Sequence, residues 1–220
     1  MAEICGCLTS DSVEGMLTQA VDAECDLFEA RLDLLADVSE IDRLSSLAKP
    51  LVATCMPKWE GGHFKGREED RLGLLESTFS FADYVTLEYR TDANLLESFT
   101  RKAGESGVKV ISSFHDFEKT PRLEELKELA DGMLEAADVA KIACKPKGFD
   151  DVLDLMSLHK HYESGSVILL SMGQVGAPSR IIAPLAGSLL TYASLGGVEA
   201  GPGQLTVSQL KEIFEALGGG

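Results

Sequence analysis

The sequence predicts an α/β protein built as a single (β/α)8 barrel, the TIM-barrel architecture. Short apolar runs typical of buried strands alternate eight times with amphipathic helical stretches along the 220 residues. No linker or low-complexity segment divides the units, and each averages about 27 residues, which is compact for this fold. With 45% hydrophobic residues, the chain can bury one substantial core. We therefore expect one domain over residues 1–220.

Each predicted strand is followed by a stretch of helical periodicity. The strands are expected near residues 3–8, 26–33, 51–56, 84–90, 108–114, 138–144, 167–172 and 189–194. The helices are expected near residues 12–23, 39–48, 67–81, 93–105, 121–133, 149–162, 178–186 and 206–217. Residues that often start helices precede several of them, namely Ser12, Thr120, Pro178 and Thr206. A doubly wound open sheet is the alternative fold, but no glycine-rich phosphate turn follows an early strand.

The composition bounds the partners and surroundings of the protein. Asp plus Glu outnumber Lys plus Arg by 36 to 20, and the resulting charge of −16 opposes nucleic-acid binding. Any anionic substrate must therefore be captured by a local basic cluster. No apolar stretch approaches the ~20 residues of a membrane helix, and the first residues do not resemble a signal peptide, so we expect a cytoplasmic protein. The five cysteines are expected to be reduced and buried, and their spacing predicts no metal site.

Lys141 lies inside the apolar run 137–144, which predicts a buried strand. Burial disfavours an ammonium group, so a lysine there must pair its charge or lose it. A neutral amine in a dry pocket attacks carbonyl groups and forms Schiff bases. The alternative is a lysine at the end of the strand that reaches solvent or pairs with an acid.

Alternation along the second strand places a charged stripe inside the barrel. Glu29, Arg31 and Asp33 share one face and are predicted to point inward, while Phe28 and Ala30 pack under helices. Active-site groups of this fold project from the carboxyl ends of strands. A charged stripe is costly to bury unless its members pair, so a purely structural ion-pair cluster is the alternative.

His115 follows the apolar part of the fifth strand, and Lys141 is predicted to end the next one. The barrel therefore places the two side by side. Imidazole transfers protons near neutral pH, and a Schiff-base lysine beside it suits proton removal next to a carbonyl. A satisfied core histidine is the alternative.

Two loops complete the predicted site. Residues 59–66 contain two adjacent glycines and are predicted to form a mobile lid that carries Glu60 and His63 inward; an ordinary surface turn is the alternative. Residues 171–180 place Met172 at a strand end and Arg180 near a helix start, where a guanidinium and free N–H groups bind anions. Residues 201–204 follow the eighth strand and place Gln204 near the same anion. Gln204 adds neutral donors, and a plain ion pair at Arg180 is the alternative.

Together these motifs resemble type I 3-dehydroquinate dehydratase, a Schiff-base enzyme of the shikimate pathway and hence of chorismate and aromatic amino acid biosynthesis. The resemblance covers essentially the whole chain. It is carried by EARLD at 29–33, PKWEGG at 57–62, SFHDF at 113–117 with TP at 120–121, KIA at 141–143, SMG at 171–173 with SR at 179–180, GS at 187–188 with LT at 190–191, and PGQ at 202–204. Each motif is weak alone, but the ordered set is specific.

The resemblance implies a role for each site residue. Lys141 would form an imine with the ring ketone of 3-dehydroquinate, His115 would move the protons of a syn elimination, and Glu60 would orient His115. The substrate would be held by the side chains of Glu29, Arg31, Met172, Arg180 and Gln204. No metal and no organic cofactor is implied, because the iminium itself is the electron sink. The resemblance also implies a homodimer.

Two positions depart from the family pattern. Met56 stands where the family usually has an arginine, and Ala200 stands where a serine usually helps to hold the carboxylate. Losing a substrate contact made by a charged side chain costs roughly 2–5 kcal/mol of binding or transition-state free energy, unless Lys58 or Lys65 compensates for the missing arginine. Two other functions therefore stay open: a pseudoenzyme that binds the same ligand, and another Schiff-base barrel such as a sugar-phosphate aldolase, for which residues 194–197 are a faint phosphate site.

Overall fold

The computed structural model describes residues 2–196 and 200–218. It contains eight parallel strands: β1 (Glu3–Leu8), β2 (Leu27–Arg31), β3 (Leu51–Thr54), β4 (Tyr84–Glu88), β5 (Lys109–Asp116), β6 (Val139–Cys144), β7 (Val167–Ser171) and β8 (Leu190–Ser194). Consecutive strands pair from β1 to β7, and β8 pairs with β1. At the β7–β8 seam, the N–H of Leu189 donates to the carbonyl of Val167 at 3.0 Å. The predicted (β/α)8 barrel is confirmed, in a nearly closed form.

Helices connect the strands on the outside of the barrel. They are α1 (Val13–Ala20), α2 (Glu68–Glu76), α3 (Ala93–Glu105), α4 (Leu123–Ala136), α5 (Phe149–Ser157), α6 (Gly173–Gly176), α7 (Ser179–Ala186) and α8 (Val207–Ala216). Side-chain caps start several of them; the hydroxyl of Thr206, for example, accepts the N–H of Gln209 at 3.2 Å. None of the helices described combines the length and apolarity that crossing a bilayer requires.

The second predicted helix, at 39–48, does not form as an α-helix. The structure has a 3-10 helix at Ile41–Ser46 instead. Ile41, Leu44 and Leu47 recur at intervals of three, which places side chains directly above one another on a 3-10 helix, whereas on an α-helix each step of three turns them by about 60°. Ile41 and Leu44 are buried, so this spacing satisfies the core and the short connection to β3 needs no full helix.

The barrel interior changes from apolar to polar along the strands. Its floor is an apolar layer near the amino ends of the strands, made by Leu27, Val52, Ile111, Val139, Ile168 and Leu190. Two residues further along, on the same inward face, stand Glu29, Thr54 and Lys141. Phe28 and Ala30 point outward into the layer beneath the helices, as predicted. The floor excludes water from below, so the polar groups face one cavity at the carboxyl ends of the strands.

Candidate active site

A cavity of about 740 Å³ opens at the carboxyl ends of the strands. Eight of the nine predicted site residues line it: Glu29, Arg31, Met56, His115, Lys141, Met172, Arg180 and Gln204. The ninth, Glu60, is buried and contacts His115. The sequence therefore predicted the position of this cavity, and the structure brings together side chains from β2 to β8.

Lys141 lies deeper than predicted. It is the third of six residues in β6 and pairs in register with Ser113, so it does not end the strand. Its side chain is 8% exposed, and its Nζ lies 3.7 Å from Oε1 of Glu29. Of the alternatives, reaching solvent is wrong and pairing with an acid is correct. The Nζ also lies 3.9 Å from the ring centroid of Tyr192.

Glu29 is fixed by three side chains. Its Oε1 accepts the hydroxyl of Thr54 at 2.9 Å, and its Oε2 lies 3.5 Å from the thiol sulfur of Cys7. Thr54 in turn contacts the hydroxyl of Thr86 at 2.9 Å. With Lys141 as the charged partner, the carboxylate is both neutralised and held in one orientation. It can therefore accept a hydrogen bond from a ligand without rearranging.

Glu60 holds His115 from behind. Its Oε1 accepts the backbone N–H of His115 at 2.6 Å and lies 3.6 Å from Nδ1 of the same residue. Burial lowers the pKa of His115 below its usual value near 6.5; Glu60 opposes the shift, and the charge of Lys141 adds to it. The imidazole is therefore neutral at physiological pH and able to accept a proton. Arg90 approaches the other Glu60 oxygen at 3.6 Å.

The loop that carries Glu60 is a tight turn. A 3-10 helix at Lys58–Glu60 ends at Gly61 with a φ of 92°, and a Cβ on Gly62 would lie 2.1 Å from the carbonyl oxygen of Met56. Both glycines are therefore required to turn the chain and bury Glu60. The inward placement of Glu60 is confirmed. His63 also lines the cavity, although its side chain is 66% exposed: its backbone N–H donates to Asp33 at 3.0 Å, and its Nδ1 lies 3.6 Å from the same Asp33 oxygen. The mobility of this loop stays a prediction.

Arg31 and Asp33 form a buried ion pair at the rim of the cavity. Nε and Nη2 of Arg31 donate to the two Asp33 oxygens, each at 2.9 Å. Asp33 lies in a 3-10 turn at Leu32–Leu34 rather than in β2, which corrects the predicted strand end. Burial alone would raise the pKa of Asp33, but hydrogen bonds from Arg31 hold it below its usual range. The guanidinium also donates to the carbonyl of Ala200 at 3.3 Å, and Met56 sulfur lies 4.0 Å away.

Backbone carbonyls of the segment after β8 hold Arg180 beside the cavity. Its Nε donates to the carbonyl of Gly203 at 3.0 Å and its Nη2 to that of Pro202 at 3.3 Å. Gln204 donates from Nε2 to Cys7 sulfur at 3.1 Å, and its Oε1 accepts the N–H of Ala200 at 2.9 Å. Both side chains line the cavity with Met172. The rim thus offers a fixed guanidinium and an amide, the groups that bind a carboxylate.

The residues considered for a phosphate site are described only in part. The hydroxyl of Ser194 accepts the N–H of Gly196 at 3.1 Å. Gly197 lies outside the described residues.

Sequence reasoning missed several residues of the cavity. Tyr192, Thr86 and Glu88 line it and were not predicted as site residues. Burial raises the pKa of Glu88 to about 7, although the Arg71 guanidinium beside it opposes the shift. A signal was present, because each lies on the inward face of a predicted strand. Arg90 has the same parity as Thr86 and Glu88 in the predicted strand 84–90, but it lies just beyond β4, and its contact with Glu60 depends on the fold.

A family model and two relatives of this chain have closely similar descriptions. A family model described as type I 3-dehydroquinase matches residues 4–220. A 3-dehydroquinate dehydratase from Methanocaldococcus jannaschii is 37% identical over 218 residues, covering 97% of this chain and 98% of that protein. One from Methanococcoides burtonii is 39% identical over 206 residues, covering 90% and 87%.

A solved structure extends the similarity to the fold. Type I 3-dehydroquinate dehydratase from Clostridium difficile, determined with covalently modified comenic acid, superposes with a TM-score of 0.89 at 27% identity. The match covers 98% of this chain and 92% of that protein.

Proposed function

The chain belongs to the type I 3-dehydroquinase family, and from that premise we propose that it is a 3-dehydroquinate dehydratase acting through an imine at Lys141. The observation that carries the proposal is the meeting of Lys141, Glu29 and the His115–Glu60 pair in one largely buried cavity. Its place would be the shikimate pathway, where the product leads toward chorismate and aromatic amino acids.

The chemistry starts with the ring ketone of the substrate. Lys141 first gives a proton to water, and its free amine adds to the carbonyl carbon; the carbonyl oxygen then leaves as water while one proton returns, which gives a protonated imine. The iminium withdraws electrons, so the neutral imidazole of His115 removes a proton from the adjacent carbon and leaves an enamine. The enamine expels the neighbouring hydroxyl group, which leaves as water with the proton that His115 returns. Hydrolysis then restores Lys141 and releases the conjugated ketone, so the net change is loss of one water.

The remaining side chains hold the ligand. Arg180 and Gln204 face the cavity at the rim and would bind the substrate carboxylate. Glu29 and Arg31 would bind its ring hydroxyls, and Met172 would pack against the ring. Guanidinium groups at the cavity are needed because the chain carries a net charge of −16, which repels an anionic substrate at long range. That a relative was solved with a covalently modified organic acid supports a covalent route.

The proposed activity is tested by following enone absorbance after 3-dehydroquinate is added to the purified protein. Absorbance that rises in proportion to enzyme concentration supports the proposal. Tight binding of 3-dehydroquinate without turnover would instead identify a pseudoenzyme. We further infer a homodimer that needs neither metal nor organic cofactor and works in the cytoplasm; sedimentation analysis and activity after chelation test the first two points.

Met56→Arg is expected to raise kcat/KM roughly tenfold or more, because it adds a charged donor beside the substrate. Met56 lines the cavity 4.0 Å from the Arg31 guanidinium, so the new side chain enters the site directly. Steady-state kinetics measure the effect. Met56→Leu, which keeps the volume and adds no charge, is the matched control. An unchanged kcat/KM in Met56→Arg would mean that the cavity is built around methionine.

Glu60→Gln is expected to lower kcat about 10- to 100-fold, less than loss of His115 itself. The charge of Glu60 raises the pKa of His115 against the effect of burial, so its removal should shift the acidic limb of the pH–rate profile to lower pH. Profiles of kcat and of kcat/KM against pH measure both effects. Glu118→Gln, an exposed change near the same strand end, should alter neither. A limb displaced to higher pH would contradict this role.

A further inference from the structure

Tyr192 contacts the reacting nitrogen, although the proposed mechanism gives it no task. Its side chain reaches the cavity from β8 and is 4% exposed. The Nζ of Lys141 lies over the ring, 3.9 Å from the centroid. An aromatic face carries partial negative charge and attracts a cation within about 6 Å, most strongly where water is excluded. The ring is therefore placed to stabilise positive charge on this nitrogen.

The hydroxyl of Tyr192 gives a second observation. It is buried and has no hydrogen-bond partner among the residues that the structure describes. Burial, reinforced by the charge of Glu29, raises the pKa of Tyr192 well above its usual range. The phenol therefore keeps its proton and is a donor. A buried donor of this kind needs an acceptor, and the cavity that it lines is where a ligand brings one.

We propose that Tyr192 is a further catalytic residue: its ring face stabilises the protonated imine at Lys141, and its hydroxyl donates a hydrogen bond to the bound substrate. The inference rests on the proposed function. Glu29 lies 3.7 Å from the same nitrogen, so the cation is held between a carboxylate and an aromatic face. The iminium nitrogen carries the charge that makes the adjacent carbon acidic. Support for that charge therefore raises the iminium population from which a proton is removed.

The ring is tested by trapping the imine. At a low concentration of borohydride and saturating 3-dehydroshikimate, the rate at which Lys141 gains the reduced adduct reports the iminium population. Tyr192→Leu and Tyr192→Met remove the aromatic face and are expected to lower this rate roughly tenfold. Tyr192→Phe keeps the face and should trap at nearly the wild-type rate. Intact-protein mass spectrometry measures the adduct, and circular dichroism identifies which variants are folded.

Tyr84→Leu is the matched control, because it removes a ring that lies 5.8 Å from Lys109 instead. It should leave the trapping rate unchanged. Folded Tyr192→Leu or Tyr192→Met that traps as fast as wild type would overturn the role of the ring. If wild type forms no adduct at all, the proposed function fails and the inference falls with it. If wild type and the folded Leu and Met variants all form the adduct at the same rate, the role of the Tyr192 ring is rejected and the proposed function stands.

The hydroxyl is tested by Tyr192→Phe in steady-state kinetics. Loss of one hydrogen bond to the substrate is expected to raise KM for 3-dehydroquinate roughly three- to tenfold while the trapping rate at saturation stays constant. This split separates a ligand contact from a general loss of structure, which would raise KM and also lower the trapping rate. An unchanged KM in Tyr192→Phe would overturn the role of the hydroxyl.

Discussion

Lys141→Ala is expected to abolish imine formation and to lower kcat/KM on the order of 10⁴-fold or more, because no other amine in the cavity replaces its nucleophile. Among the described residues that line the cavity, Lys141 is the one lysine, so no neighbouring lysine is positioned to replace it. Borohydride reduction in the presence of 3-dehydroquinate should add no ligand mass to the variant. The enone assay measures the loss of rate.

A second variant separates chemistry from folding. The alanine change leaves the buried Glu29 carboxylate without its cationic partner, which destabilises the native state. Lys141→Met keeps the aliphatic stem of the lysine, so it should be the better folded of the two and equally inactive. Lys145→Ala removes an exposed lysine just beyond the same strand and should leave activity intact. Adduct formation in a folded Lys141 variant would place the imine elsewhere.

The sequence predicted the barrel well because its signals are local and repeated. Each strand is an apolar run bounded by an amphipathic helix, and eight repeats leave few other folds open. The alternation of inward and outward residues along the second strand then located Glu29 and Arg31, and the apolar run around Lys141 indicated its burial. The helix expected near 39–48 formed as a 3-10 helix at Ile41–Ser46. The prediction misjudged the depth of Lys141, because strand ends depend on pairing with neighbours that the local sequence does not show.

Side-chain directions in loops were the least predictable part. Glu60 and His63 are close in sequence, yet one is buried against His115 and the other is largely exposed. The difference arises from the left-handed backbone at Gly61, which reverses the chain between them. Tyr192 was missed for another reason: a tyrosine in an apolar run indicates only core packing. Its contact with Lys141 appears when β8 is placed beside β1 and the barrel nearly closes.

Oriented guanidinium groups explain how an acidic protein can hold an anion. The paired Asp33 carboxylate orients Arg31 through two hydrogen bonds. The backbone carbonyls of Pro202 and Gly203 orient Arg180. A guanidinium that is already oriented loses little conformational freedom when a ligand binds, which suits the capture of a carboxylate.

His115→Ala is expected to separate the two halves of the proposed reaction. Imine formation needs Lys141, whereas proton removal and protonation of the leaving hydroxyl need the imidazole. The variant should therefore form the imine but turn over about 10²- to 10⁴-fold more slowly, the range of general acid–base catalysis. After borohydride reduction the adduct should be that of undehydrated substrate, one water heavier than the adduct made from product. Intact-protein mass spectrometry distinguishes the two.

The pH dependence of the wild type provides an independent check on the same residue. Burial lowers the pKa of His115 below its usual value near 6.5. The imidazole therefore stays neutral as the pH falls from 6.5 to this lowered pKa. The rate should then fall only as pH drops through the lowered pKa, where protonation removes the base. In His115→Ala this acidic limb should vanish, whereas His161→Ala, which removes an exposed histidine, should retain it. Unimpaired turnover in His115→Ala, or an acidic limb that persists unchanged, would assign proton transfer to another group.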